Sequence, residues 1–260
     1  MQFANIDGHN IEFRLIPGRA DVPALVLLHE GLGSVALWRD FPDKLAKRLG
    51  ARTLIYSRLG YGQSDPLTAR RTPDFMHREA LDTLPRLLDQ LRLEAPFLVG
   101  HSDGASIALI HAASAQRPVS GMALLAPHVF VEDLTVDSIA RIRRTYDRSD
   151  LRQRLARYHA HVDDAFLGWA DIWLDPAFRR WDIRGEVARI AAPMLVIQGE
   201  DDEYGTLAQV EAIEATAHGP VRRLVLKKCG HSPHRDCEEA VIDAIATFYR
   251  DLDRAGPSVD

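Results

Sequence analysis

The sequence predicts an α/β protein: a mostly parallel central sheet with helices on both faces and a helical insertion in the middle of the chain. Three observations predict it. Short, almost wholly apolar runs recur along the chain, as expected of strands buried on both faces. Helical patterns separate them, so strand and helix alternate. One long stretch, 128–190, breaks the alternation with helical patterns alone.

The elements follow in order. Residues 11–16 (IEFRLI) alternate apolar and polar, the period of a half-buried strand. The runs 24–29 (ALVLLH), 52–57, 96–100, 121–126, 194–198 and 222–226 read as buried strands. Helices are expected over 36–49, 74–92, 102–116, 206–217 and 237–252. Within 74–92 the apolar positions Phe75, Leu81, Leu84, Leu88 and Leu91 recur with helical spacing. Residues 1–127 and 191–260 thus form one core, and 128–190 packs over one end of its sheet. The polar end, Ala255 to Asp260, is expected to fray.

Composition excludes several function classes. With 260 residues and 46% hydrophobic content, the chain can bury a substantial core. A formal net charge of −5 gives no general attraction to nucleic acid or to an acidic membrane face. No apolar run approaches the roughly 20 residues of a membrane helix. The N-terminal segment lacks a basic region followed by an apolar one, so no secretory signal is expected. Cys229 and Cys237 lie too close together for a disulfide framework. A reducing, cytoplasmic setting fits them. The partner these features leave is a small-molecule substrate, with the oligomeric state, a homodimer included, left open.

The strongest local signal is Gly100-His101-Ser102-Asp103-Gly104, after an apolar strand and before an apolar helix. G-x-S-x-G in that setting is a nucleophile elbow, in which small residues flank a serine forced into a strained turn. A serine hydroxyl needs a base and an orienting acid. Of eleven histidines, His231 lies on the loop between the last expected strand and the last helix. The acid belongs on the loop after the penultimate strand, where Asp202 is the choice and Asp201 the alternative. An oxyanion formed by attack needs two N–H donors. The Asp103 amide supplies one, and Gly31, with Leu32 next, supplies the second from the glycine-rich loop after the strand at 24–29. A zinc site of Cys229, His231, His234 and Cys237 is the weaker reading, because one loop seldom provides all four ligands. No metal or cofactor is expected.

Together these residues resemble the α/β-hydrolase superfamily, whose chain order of nucleophile, acid and histidine matches Ser102, Asp202 and His231. His29-Glu30-Gly31 resembles its His-Gly oxyanion loop, and Gly199-Glu200-Asp201-Asp202 its acid loop. Gly230-His231-Ser232-Pro233 resembles its terminal histidine segment, and Arg58-Leu59-Gly60-Tyr61-Gly62-Gln63-Ser64 its Arg-Gly-x-Gly-x-Ser turn. Two positions depart: Glu30 replaces a glycine, and Ser57 stands where an aspartate usually precedes the arginine. The resemblance implies a capped esterase, lactonase or carbon–carbon bond hydrolase acting through a serine.

That resemblance and the motifs lead to a serine hydrolase acting on a carboxylic ester, lactone or thioester. The alternatives are a C–C hydrolase of dicarbonyl compounds and a binding protein that keeps the fold. Trp38, His128, Trp169 and Trp173 are candidate pocket residues. Asp103 could attract a cationic substrate group or simply carry helix N-terminal charge. The arginines between 141 and 157 are expected to form a solvated, ion-paired helix face, with recognition of a substrate anion as the minority reading.

Overall fold

The computed structural model describes residues 1–114 and 116–255. The C-terminal residues 256–260, where fraying was expected, lie outside them. Eight strands form one sheet: β1 Gln2–Ile6, β2 His9–Ile16, β3 Leu25–Leu28, β4 Thr53–Tyr56, β5 Phe97–His101, β6 Gly121–Leu125, β7 Met194–Gly199 and β8 Val221–Leu226. Their spatial order is β1-β2-β4-β3-β5-β6-β7-β8. From β4 to β8 all pairs are parallel, while β1–β2 and β2–β4 are antiparallel.

The first strand is an addition to the sequence expectation. β1 and β2 form a hairpin through Asp7 and Gly8, both with positive φ (52° and 86°). Such a pair matches the right-handed twist of the flanking strands.

Helices cover both faces. α1 (Phe41–Leu49) and α11 (Glu238–Ala255) enclose one core layer with Leu25, Leu27, Ile55, Val99 and Ile197. On the other face lie α2 (Phe75–Arg78) and α3 (Leu84–Leu91), joined by a π-helical turn at Glu79–Thr83, with α4 (Asp103–Ala113) and α9 (Leu207–Thr216). Helix α4 is apolar almost all round and buried, so it lacks the amphipathic stripe of a surface helix.

Between β6 and β7 come α5 (Asp133–Thr145), α6 (Leu151–Leu155), α7 (Val162–Trp173) and α8 (Arg184–Val187). One isolated bridge, Phe130 to Asp182, ties the start of this segment to its end. α10 (Pro233–Asp236) follows β8. In chain order β3 precedes β4, yet in the sheet it lies between β4 and β5. The loops after β3 and β5 therefore open side by side at the carboxyl edge, where α/β sheets form their ligand crevice.

Candidate active site

The turn from β5 into α4 is tight. Ser102 has φ 53° and ψ −119°, strained for a residue with a side chain. Its neighbours must be glycine: a Cβ at Gly100 would press on the Ala105 backbone, and one at Gly104 would overlap the Leu28 carbonyl at the end of β3. The turn is closed by Ser102 N donating to Leu125 O at 2.9 Å and Ala105 N to Ser102 O at 2.8 Å. Asp103 opens α4, so its N–H has no intrahelical acceptor.

Three loops converge on this turn. The Ser102 hydroxyl lies 2.9 Å from His231 Nε2. His231 Nδ1 lies 2.9 Å from both carboxylate oxygens of Asp202. An Nδ1–H donating to the carboxylate leaves Nε2 free to accept from the serine. Asp202 is fixed in turn by the amides of Tyr204 (2.8 Å) and Gly205 (3.1 Å) and by Gln198 Nε2 (2.7 Å). Burial disfavours its charge, but the His231 hydrogen bond and charge outweigh burial and hold the carboxyl below the usual range. Asp201, the alternative acid, is exposed and turns its backbone to Cys229.

A cavity of about 230 Å³ opens over Ser102. Gly31, Leu32, Asp103, His128, Trp169 and Trp173 line it. Gly31 packs so closely under Trp169 that a Cβ there would overlap the indole nitrogen. The Leu32 carbonyl accepts from His159 Nε2 at 3.0 Å, while His159 Nδ1 accepts from Gly62 N at 3.0 Å. One neutral histidine of the 128–190 segment thus ties the loop after β3 to the loop after β4.

Trp38 is a correction. It is buried away from the cavity, stacked on Phe41 (5.7 Å) and against His234 (4.8 Å). A short 3₁₀ turn, Ala36–Trp38, tucks the indole beneath the loop as core. Asp103 needs a second correction. Its carboxylate is 1% exposed, accepts from Trp173 Nε1 at 3.1 Å and lies 3.6 Å from Arg58 Nη1. Burial pushes its pKa up against the pull of Arg58 and Arg71. With a guanidinium already beside it, this carboxylate is not a free anionic lure.

Several cavity groups were not singled out from sequence. Glu30 faces His101 Nδ1 (3.4 Å) and Arg235 (3.6 Å), and His101 Nε2 lies 2.6 Å from the His231 carbonyl. Tyr204 sets its ring 4.9 Å from that of His231. The glycine-to-glutamate departure was a signal for Glu30; nothing marked Tyr204 or His159.

Ser57, the other departure, donates to Glu12 Oε2 at 2.7 Å. The same oxygen accepts from Gln63 N at 2.9 Å, so a carboxylate from β2 serves this turn. Among the arginines between 141 and 157, Arg143 pairs with Asp171, Arg152 with Asp163 and Arg154 with Asp150. A larger groove of about 390 Å³ lies on the outer side of α7, against residues 67–71, and holds none of the expected site residues. Among the described residues no group of three or more His, Cys, Asp or Glu could hold a metal ion. No helix among them is long and apolar enough to cross a membrane.

The family model described as alpha/beta hydrolase fold matches residues 23–159, more than half of the chain. The protein belongs to the α/β-hydrolase fold family. Its relatives carry several activities. A proline iminopeptidase of Lactobacillus helveticus is 32% identical over 105 residues, 40% of this chain and 35% of that protein. The chain therefore spans about a third of the length of the curated relatives matched over that region. A 2-hydroxy-6-oxononadienedioate/2-hydroxy-6-oxononatrienedioate hydrolase of Pseudomonas putida is 25% identical over 240 residues, 80% of each chain. The enol-lactonase from Burkholderia xenovorans LB400 superposes with a TM-score of 0.75 at 22% identity, covering 95% of this α/β-hydrolase and 99% of that chain. That last likeness concerns the fold.

Proposed function

We propose that this α/β-hydrolase is a serine hydrolase that cleaves a carboxylic ester, lactone or thioester of a small organic substrate through an acyl-enzyme. The observation that carries the reading is the unbroken chain Ser102 Oγ–His231 Nε2 and His231 Nδ1–Asp202, both links at 2.9 Å, on the floor of a cavity.

His231 takes the hydroxyl proton as Ser102 attacks the carbonyl carbon, and Asp202 steadies the imidazolium. Negative charge grows on the carbonyl oxygen, where the amide of Asp103 and that of Gly31, or Leu32 beside it, serve as donors. His231 returns the proton to the leaving alcohol, and water then repeats the sequence on the acyl-enzyme. Every proton and charge in this cycle is handled by the chain's own groups. The cavity is smaller than the several hundred Å³ usual for drug-sized ligands, which favours a short acyl group. Trp169, Trp173 and Ile139 give it an apolar wall.

The test is a hydrolysis screen over aryl esters, lactones, thioesters and 1,5-diketones, with Ser102→Ala as control. Ester turnover and fluorophosphonate labelling that both vanish in the variant support the reading; a serine that does not label rejects it. The Pseudomonas putida relative favours a second reading, C–C hydrolysis of a dicarbonyl compound by the same residues. Faster turnover of a dienoic ring-cleavage product than of any ester would select it.

A further inference from the structure

His128 is anomalous among the buried histidines. His29, His101, His111 and His159 each place a ring nitrogen on a hydrogen-bond partner. Among the described residues His128 Nδ1 is enclosed without a hydrogen-bond partner on the side of the ring that faces Gly205, and Nε2 makes no hydrogen bond either, although the residue is 2% exposed. His234 shares this lack but lies between Trp38 and Phe41, outside the cavity. Nδ1 is enclosed whereas Nε2 is not, and His128 lines the cavity, so the unbonded Nε2 is the atom that a partner entering the cavity would meet.

The backbone aims it there. Ala126, two residues earlier, has φ 47°, in the left-handed region that a side chain disfavours. The His128 carbonyl accepts from Ser106 Oγ at 2.6 Å, and the next amide donates to Gln209 Oε1 at 2.7 Å. The ring meets Trp173 edge-on at 5.2 Å and lies 5.6 Å from the His231 ring. These bonds fix the backbone that carries His128 on the cavity wall.

The surroundings select the class of partner. Burial and the neighbouring His231 lower the His128 pKa to about 3, so the ring stays neutral and gives an anion no charge to pair with. The Arg235 guanidinium on the same lining already faces Glu30 at 3.6 Å and offers an anion little more. A cation gains little from Asp103, which Arg58 already attends. An uncharged oxygen remains.

We propose that His128 binds the substrate directly, hydrogen-bonding an uncharged hydroxyl or keto oxygen carried within two to four bonds of the scissile carbonyl. This rests on the serine-hydrolase reading and names the substrate class of that site: an oxygenated short-chain ester.

The experiment compares kcat/KM for ethyl butanoate with that for ethyl 2-hydroxybutanoate, ethyl 3-hydroxybutanoate and 2-hydroxyethyl butanoate. At least one oxygenated ester should be favoured about tenfold, the worth of one neutral hydrogen bond. His128→Phe should collapse that ratio at least fivefold, and His128→Gln should keep part of it. Should His128→Phe not fold, ring-nitrogen resonances of histidines in Ser102→Ala carry the test. The His128 signal should move on adding the favoured ester and stay on adding ethyl butanoate. No oxygenated preference, a ratio that survives His128→Phe, or an unmoved His128 signal overturns the proposal. Ester turnover with an unchanged ratio overturns it alone; no turnover and no labelling of Ser102 overturn the hydrolase reading with it.

Discussion

On the sheet side of the cavity, Ser102, His231 and Asp202 are tied to one another and to backbone amides by hydrogen bonds near 2.9 Å. On the opposite side, Trp169 is seated against Gly31, Trp173 makes one hydrogen bond to Asp103, and His128 makes none. One side is held by polar geometry and the other by packing. Polar geometry tolerates little displacement, whereas packed walls can be reshaped one residue at a time. Substitutions on the first side should therefore destroy rate, and those on the second should change what is bound or how firmly the walls stand.

The sharpest break of that contrast is Ser102→Ala. Ester turnover should fall by about 10⁴-fold or more with the melting temperature nearly unchanged, read by initial rates and a thermal scan. Asp202→Asn comes next. It preserves shape but lets the ring of His231 adopt the wrong tautomer, so kcat should drop by roughly 10³–10⁴-fold.

On the packed side, Gly31→Ala forces its new methyl into the Trp169 indole. It should cost about 1–3 kcal/mol of stability, measured by denaturant unfolding. Within each pH unit the titration of His128 acts at the lower end of that range. Its folded pKa is depressed to about 3, so below the ordinary histidine value near 6.5 the unfolded chain takes up a proton that the folded chain refuses. Stability is therefore lost as pH falls from about 6.5 toward 3. His29 and His234, also held neutral by burial, add to the same slope. His128→Gln should flatten unfolding free energy against pH by about 1.4 kcal/mol per unit within that window. Smallest of all is Arg152→Ala, which breaks an exposed pair with Asp163. It should change stability by less than about 1 kcal/mol and leave the substrate profile alone. A lost preference for acidic substrates would instead mark that face as a binding surface.

The same division explains what could be read from the residues alone. Strands β2 to β8 and the main flanking helices were legible because periodicity and apolar runs are local. Ser102, Asp202 and His231 were legible because each sits on a short loop whose place in the strand order is constrained. The β1 strand was missed although Asp7-Gly8 between alternating runs is a hairpin signal. Trp38 was misplaced because an aromatic near a loop does not say which way its ring turns. Glu30, His159 and Tyr204 escaped because their positions depend on contacts between segments distant in the chain, such as Glu30 with Arg235 and His159 with Leu32.

The carboxylate of Glu12 has an evolutionary consequence. It reaches across from β2 to the turn that resembles the family's Arg-Gly-x-Gly-x-Ser segment, where that resemblance implies an aspartate one residue before the arginine, and here Ser57 bridges the gap. Two positions 45 residues apart thus share one negative charge. Homologues should exchange them as a pair, aspartate at 57 appearing where glutamate at 12 is lost, so that an acid at both or at neither marks a branch that solved this corner differently.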